Sequence, residues 1–259
     1  MTERLLLDLD GPIATITNNN ADQHNAFDDE MDLRLFEILS ELRHRPDVRV
    51  VIWRGEGRSF SSGRDVRSIG SLRTELSHHE LMRRGHRGIQ QLWEMDQPVL
   101  VACKGWVLGG SFQRALLCDV RVAAEGTRFR LPELTHGVIP DTGGVAVLQQ
   151  MCGPGVVSDM VLTGRVMEAD EALHHGIVSR VVPAEELDDT VRAMAEQVAA
   201  SPAVTVKLAR QILRHLSVPQ IRASMDDEMI YQTFLNRSDD FAEFRAARAE
   251  EREPHYKGS

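Results

Sequence analysis

Basic residues are the minority charge in this 259-residue chain: 30 Lys and Arg stand against 39 Asp and Glu, a net charge of −9. That balance argues against a broad nucleic-acid or anionic-membrane surface and leaves room only for local basic patches. Cysteine is scarce. Cys103, Cys118 and Cys152 make an odd count with no C-x-x-C spacing, which fits buried free thiols in a reducing compartment rather than a disulfide framework. No apolar run approaches membrane-spanning length, and "MTERLLLDLDG" lacks the apolar core of a signal peptide. A cytoplasmic protein with no membrane partner is the expectation. The remainder, 42% hydrophobic and 27% charged, is ordinary for a globular protein of one large α/β domain, with or without a helical appendage.

What is present alternates strands with helices. "RLLLDLDGPIATITN" reads as a hairpin turning at Asp10-Gly11. "DDEMDLRLFEILSELRHR" places Met31, Leu35, Ile38, Leu39 and Leu42 on one helical face, with Asp28 or Asp29 as cap and Pro46 beyond the end. "VRVVIWRG" and "QPVLVACKG" read as buried strands, and Gly109-Gly110 opens a helix, "SFQRALLCD". "VRVAAEGTRFR" gives two short strands, "DTGGVAVLQQMCG" and "GVVSDMVLTG" two helices, "EADEALHHG" another helix, and "IVSRVVP" a last strand. From residue 184 onward the pattern is helical only, with Ser238 capping "DDFAEFRAARAEE". A sheet with crossover helices at 1–183, then a helical region at 184–259, is the expected organisation.

Several local patterns occur in one order. "NNNADQHNAF" is followed by "GEGRSFSSGRD", "GWVLGGSFQRALLCDVRVAAEGTRFRLPEL", "GVIPDTGG", "LTGRVMEADEALHHGIVSRVVP" and "SDDFAEFRAARAEEREPHYKG". Together they resemble the crotonase superfamily of enoyl-CoA hydratases and isomerases, nearly end to end. The resemblance implies an α/β fold: a crotonase-like spiral of repeated β-β-α units followed by an all-helical C-terminal region. It implies a homotrimer or dimer of trimers, held by the C-terminal helices. The substrate is an acyl-CoA, and no cofactor is needed beyond the CoA that the substrate carries.

By the same resemblance, two backbone N–H groups grip the thioester oxygen. One belongs to Arg64, after the loop glycine Gly63; the other belongs to Gly110 at a helix start. The chemistry suits them, because a proton removed beside a thioester leaves negative charge on that oxygen. A helix N-terminus adds partial positive charge. Glu133, in "FRLPEL", matches a proton-moving carboxylate of many family members. Gln113 stands where hydratases carry a second glutamate, in "GG-x-x-E"; an amide cannot exchange a proton at neutral pH. Asp141, in "IPDTGG", stands where many hydratases have glycine. It is either the N-cap of the next helix or a base, as in dienoyl-CoA isomerases and ring-opening epoxide isomerases.

Arg54, Arg58, Arg64 and Arg67 crowd one region; Arg58, Arg67 and Ser62 are the candidate CoA contacts. Gln23 replaces a basic residue common in the family at that loop. Asp65 reads as a helix cap. His78-His79-Glu80 and His174-His175 read as surface, with no metal-ligand spacing, and Cys103 and Cys118 as core. His136 falls between Glu133 and Asp141 and reads as structural. The stretch 68–94 governs the acyl group but carries no legible code.

The favoured expectation is double-bond isomerisation, with Glu133 and Asp141 shuttling protons. The alternatives are an enoyl-CoA hydratase in which Gln113 orients water, another crotonase reaction such as thioester hydrolysis, and a non-catalytic acyl-CoA binder. Retention of Glu133 argues against the binder, and the acidic charge argues against RNA.

Overall fold

The computed structural model describes residues 3–67 and 77–258. Residues 68–76, part of the stretch expected to govern the acyl group, lie outside them. Strands β1 (Leu5–Asp10) and β2 (Ile13–Asn18) form the expected hairpin, with Asp10 opposite Ile13. Helix α1 (Asp29–Arg43) is capped by Asp28, whose Oδ1 accepts the Met31 N–H at 3.1 Å. It buries the predicted face: Met31, Leu35, Ile38, Leu39 and Leu42.

Strands β3 (Val50–Gly55), β4 (Val99–Cys103), β6 (Val120–Ala124) and β9 (Arg180–Val182) extend the hairpin into a six-stranded sheet ordered β1-β2-β3-β4-β6-β9. Every pairing after the hairpin is parallel. All five residues of β4 are buried, which explains their unbroken apolar run. Helix α2 (His78–Glu94) returns the chain between β3 and β4, and a Ser77–Glu80 capping box starts it.

A second, three-stranded sheet holds β5 (Trp106–Leu108), β7 (Arg128–Arg130) and β8 (Met167–Glu168). The sequence reading found β7 but neither β5 nor β8, which at three and two residues are too short to show a period. Strand β5 runs directly into α3 (Gly109–Leu116), so strand, strand and helix repeat as one turn of a spiral.

Helix α4 (Gly144–Thr163) is kinked at Gly153 (φ 75°, ψ 169°), with Pro154 next, as the reading of two helices required. Among the described residues it alone has the length and apolarity to cross a membrane. The kink leaves two pieces of roughly 15 Å each, about half of a bilayer core. Helix α5 (Ala169–His174) precedes β9.

Helices α6 (Leu187–Ala200), α7 (Ala203–His215), α8 (Val218–Leu235) and α9 (Asp239–Ala249) follow. Helix α6 packs Leu187, Val191 and Ala195 onto Ile52, Leu100 and Val122 of the main sheet. The expected boundary at residue 183 therefore precedes a helix that covers the sheet. Helix α8 lies against α2 and α4 and reaches the site described next. Val204, Leu208, Ile212, Leu213 and Leu216 of α7 and its end, with Ile230 and Phe234 of α8, remain exposed.

Candidate active site

The stretch 60–64 has an unusual position. Its residue Ser61 bridges to Val107 of β5: Ser61 N–H donates to Trp106 O and Leu108 N–H to Ser61 O, both at 3.0 Å. Gly63 adopts φ 86°, and a Cβ there would lie 2.8 Å from Leu108 O. Conformation and space both demand glycine. On its other side the loop pairs with Phe27, whose N–H donates to Gly63 O at 2.8 Å and whose carbonyl accepts Asp65 N–H at 2.7 Å. Those bonds use the groups flanking Arg64. Its own N–H therefore faces the opposite side.

That opposite side is where α3 begins. Gly110 is in the first turn of α3, where an N–H has no intrahelical partner. Ser61 Oγ lies 2.8 Å from Ser111 Oγ, donates to Asn25 O at 2.7 Å and accepts Gly63 N–H at 3.1 Å. This pair of serines registers the loop against the helix. The sequence reading missed it, because serines in a loop carry no periodic signal. Asn25 does related work: its Nδ2 donates to Glu56 O and Ser59 O at 2.9 and 2.7 Å.

Arg64, Gly109, Gly110, Glu133, Asp141 and Thr142 line one cavity of about 230 Å³. By that measure one water needs roughly 10–15 Å³, so the space takes an acyl group of several heavy atoms. Gly109, at φ 52°, brings the main chain so close to Glu133 that a Cβ would lie 3.3 Å from its Oε1. Glu133 begins a 3₁₀ turn (Glu133–His136) and is 8% exposed. Burial pushes its carboxyl up to about 8, and the charge of Asp141 adds to that shift. Its Oε2 has no hydrogen-bond partner among the described residues.

Asp141 is half-buried at the turn before α4. Burial raises its carboxyl too, while His86, Arg64 and Arg114 favour the anion and Thr142 donates to it. His86 Nε2 donates to Asp141 O at 2.8 Å and holds the turn from the α2 side. The capping role does not occur: α4 has Gly143 as N-cap and no side chain caps it.

Gln113 is fully buried and stands behind Glu133, outside the cavity lining. Its Nε2 donates to Glu133 Oε1 at 2.9 Å, and its Oε1 accepts Thr142 N–H at 3.0 Å. The amide thus ties the two carboxylate-bearing segments together. Glu228 of α8, unremarked in the sequence, accepts Gly143 N–H at 2.9 Å and Ser224 Oγ at 2.7 Å. Burial raises its carboxyl to about 7.

The other candidates separate. The Arg64 side chain pairs with Asp29 and, at 2.7 Å, with Asp32 of α1. Arg54 pairs with Glu56 and Asp188, away from the cavity. Ser62 lines the cavity and donates to Gln23 O at 3.3 Å. Arg58 is exposed, with a guanidinium nitrogen 3.4 Å from His24 Nε2. Arg67 grips Asp65 in a bidentate pair and reaches Gln23 Oε1 at 2.8 Å. It borders a second hollow beside Arg245 and Arg248 of α9. Asp65 therefore secures Arg67, and the segment it was expected to cap lies outside the described residues. His78, expected at the surface, lines the first cavity, and His136 borders both hollows. Cys103 and Cys118 are buried thiols that burial pushes up to about 12.

A spiral core that brings Arg64, Gly110, Glu133 and Asp141 to one cavity, on a fold shared with enoyl-CoA hydratase/isomerase structures, defines a class: crotonase-fold enzymes of acyl-CoA thioesters. A family profile described as enoyl-CoA hydratase/isomerase matches residues 9–259, and the chain belongs to that family. It is 35% identical to a carnitinyl-CoA dehydratase of Salmonella paratyphi A, over the full length of both chains. An enoyl-CoA hydratase/isomerase structure from Pseudoalteromonas atlantica superposes with a TM-score of 0.90, at 27% identity over 98% of this chain and 100% of that one. An enoyl-CoA hydratase/carnitine racemase structure from Magnetospirillum magneticum gives 0.77 and 28%, over 100% and 97%.

Proposed function

We propose that the protein adds water to a 2-enoyl-CoA and, in reverse, removes it from a 3-hydroxyacyl-CoA. The observation that carries this reading is the meeting of Glu133 and Asp141 in one cavity, where burial raises both carboxyls and nearby cations oppose that effect at Asp141. Glu133, whose carboxyl burial and Asp141 raise to about 8, starts as the acid. Asp141 takes the role of base: burial raises its carboxyl, and Arg64, Arg114 and His86 oppose that shift and favour the anion.

In hydration, Asp141 takes a proton from the water whose oxygen bonds to the β-carbon. The double-bond electrons move onto the thioester oxygen, where Arg64 and Gly110 N–H groups hold the enolate. Glu133 then delivers its proton to the α-carbon, and dehydration reverses each step. The dehydratase name of the full-length relatives supports this direction over the isomerisation favoured on the sequence.

Isomerisation is the second reading, favoured by Gln113 where hydratases carry glutamate. It uses the same groups: Asp141 takes a proton from the γ-carbon and Glu133 returns one to the α-carbon. The test is to incubate the protein with crotonyl-CoA, a 3-enoyl-CoA and 3-hydroxybutyryl-CoA in ²H₂O and separate the products. Interconversion of the first and third with deuterium at the α-carbon is expected. Conversion of the 3-enoyl thioester alone would replace hydration with isomerisation.

The exposed apolar side chains of α7 and α8 support self-association through that face, as a trimer or a dimer of trimers.

A further inference from the structure

The cavity does not end at the reacting carboxylates. It continues between α1 and α2, where Asp29, Asp32 and Phe36 face Leu81, Met82, Gly85 and Ile89. A Cβ on Gly85 would meet nothing within 4 Å, so the space beside it is open. With the thioester oxygen at Arg64 and Gly110, this end receives the far part of the acyl group.

For a hydrocarbon pocket its charge is unusual. Two arginines are accounted for. Arg64 pairs with Asp29 and Asp32, and Arg114 lies 2.8 Å from Asp32 with its guanidinium stacked on the Phe27 ring, 5.0 Å from the centroid. Asp29 and Asp32 thus hold both guanidiniums, which Asp141 also faces from the same cavity.

Arg84 of α2 is the third, and it lines the same cavity. It has no ion pair or hydrogen bond among the described residues, and its Nε is buried without a partner. The Nδ1 of His78, six residues earlier, is buried and has no partner among the described residues as well. A donor removed from water without an acceptor is destabilising, and more so when it is charged, as the Arg84 guanidinium is. An acceptor that arrives with the substrate would remove that penalty.

Resting on the acyl-CoA reading above, we infer that the acyl group carries a carboxylate at its far end, received by Arg84 at the α1–α2 end of the cavity. Guanidinium and carboxylate match as a two-bond fork, and no carboxylate among the described residues pairs with Arg84. A cationic acyl end meets the reverse situation. Its natural recognition is an open aromatic face, and the face of Phe27 is already taken by Arg114.

The experiment is calorimetric titration with saturated, unreactive thioesters: glutaryl-CoA and adipyl-CoA against butyryl-CoA, hexanoyl-CoA and a trimethylammonio-butyryl-CoA. At least one dicarboxylic thioester is expected to bind tenfold or more tightly than the monocarboxylic thioester of similar length. Arg84→Leu should bring that ratio below about twofold while the monocarboxylic affinity moves little, and Arg84→Lys should restore part of it. Melting curves establish that each variant folds, and Arg84→Gln replaces Leu if it does not.

Equal affinity for both kinds of thioester, a preference that survives in Arg84→Leu, or tighter binding of the cationic thioester would overturn the inference and leave the acyl-CoA reading standing. If no thioester binds, the acyl-CoA reading falls and this inference falls with it.

Discussion

Gln113 Nε2 stands 2.9 Å from Glu133 Oε1, and the same amide accepts Thr142 N–H at 3.0 Å. A residue that looks on the sequence like a disabled catalytic glutamate is a strut. It fixes one carboxylate and the turn that carries the other. Gln113→Ala leaves two buried partners unsatisfied, so it should cost about 1–3 kcal/mol of stability. It should also lower kcat more than KM, because the cavity lining is unchanged. Gln113→Glu should restore little catalysis, and it should melt at progressively lower temperature as pH rises, since two carboxylates would then meet at hydrogen-bond distance. Steady-state kinetics and melting from pH 6 to 9 check both. A Gln113→Ala variant with normal kcat would remove the strut role.

Asp141 caps no helix, so its replacement separates chemistry from folding. Asp141→Asn should slow turnover by about 10²–10⁴-fold, as expected for the loss of a general base. Its melting temperature should stay within a few degrees. Full activity in this variant would leave Glu133 as the sole proton-moving group.

Glu133 makes a prediction about pH. Its folded value of about 8 lies above the ordinary 4.5. Between those values the folded state holds a proton that the unfolded chain releases. The associated stability is complete below pH 4.5 and lost as pH rises through 8. Glu228, raised to about 7, acts in the same direction. Denaturant unfolding of the wild type should therefore weaken from pH 5 to 8, by at most about 1.4 kcal/mol per pH unit for each group. Glu133→Gln should show a shallower slope, and identical slopes would contradict the buried, protonated state. Hydration by the wild type should also decline above pH 8, as the acid form is lost.

Glu228 tests the reach of α8. Glu228→Gln keeps an acceptor for Gly143 N–H and should retain kcat within about threefold. Glu228→Ala strands that N–H and should cost about 1–3 kcal/mol, with a lower kcat from the displaced Asp141 turn. If both variants match the wild type, α8 has no part in holding the site.

The apolar face of α7 and α8 predicts assembly. Light scattering should report a trimer or a dimer of trimers at micromolar concentration, and Ile212→Asp with Phe234→Asp should shift it toward monomer. A wild-type monomer would refute the association.

The sequence by itself determined the hairpin, the α1 face, the paired helices on either side of Gly153 and the family. Each of these rests on local period, local turn chemistry or an ordered run of motifs. It also offered Glu133 and Asp141 as candidate proton carriers, and Arg64 and Gly110 as candidate main-chain donors. Only the tertiary structure decided what Gln113 does, because its two partners lie 20 and 29 residues away in the chain. The same holds for the Ser61–Ser111 pair, separated by 50 residues, and for Glu228, 85 residues from Gly143. Arg54, Arg64 and Arg67 look alike in one short stretch, yet they face Asp188, α1 and Asp65 respectively. The physical reason is one of range. Periodicity and capping act within a few residues, whereas protonation states and hydrogen-bond partners depend on which distant segments the spiral brings together.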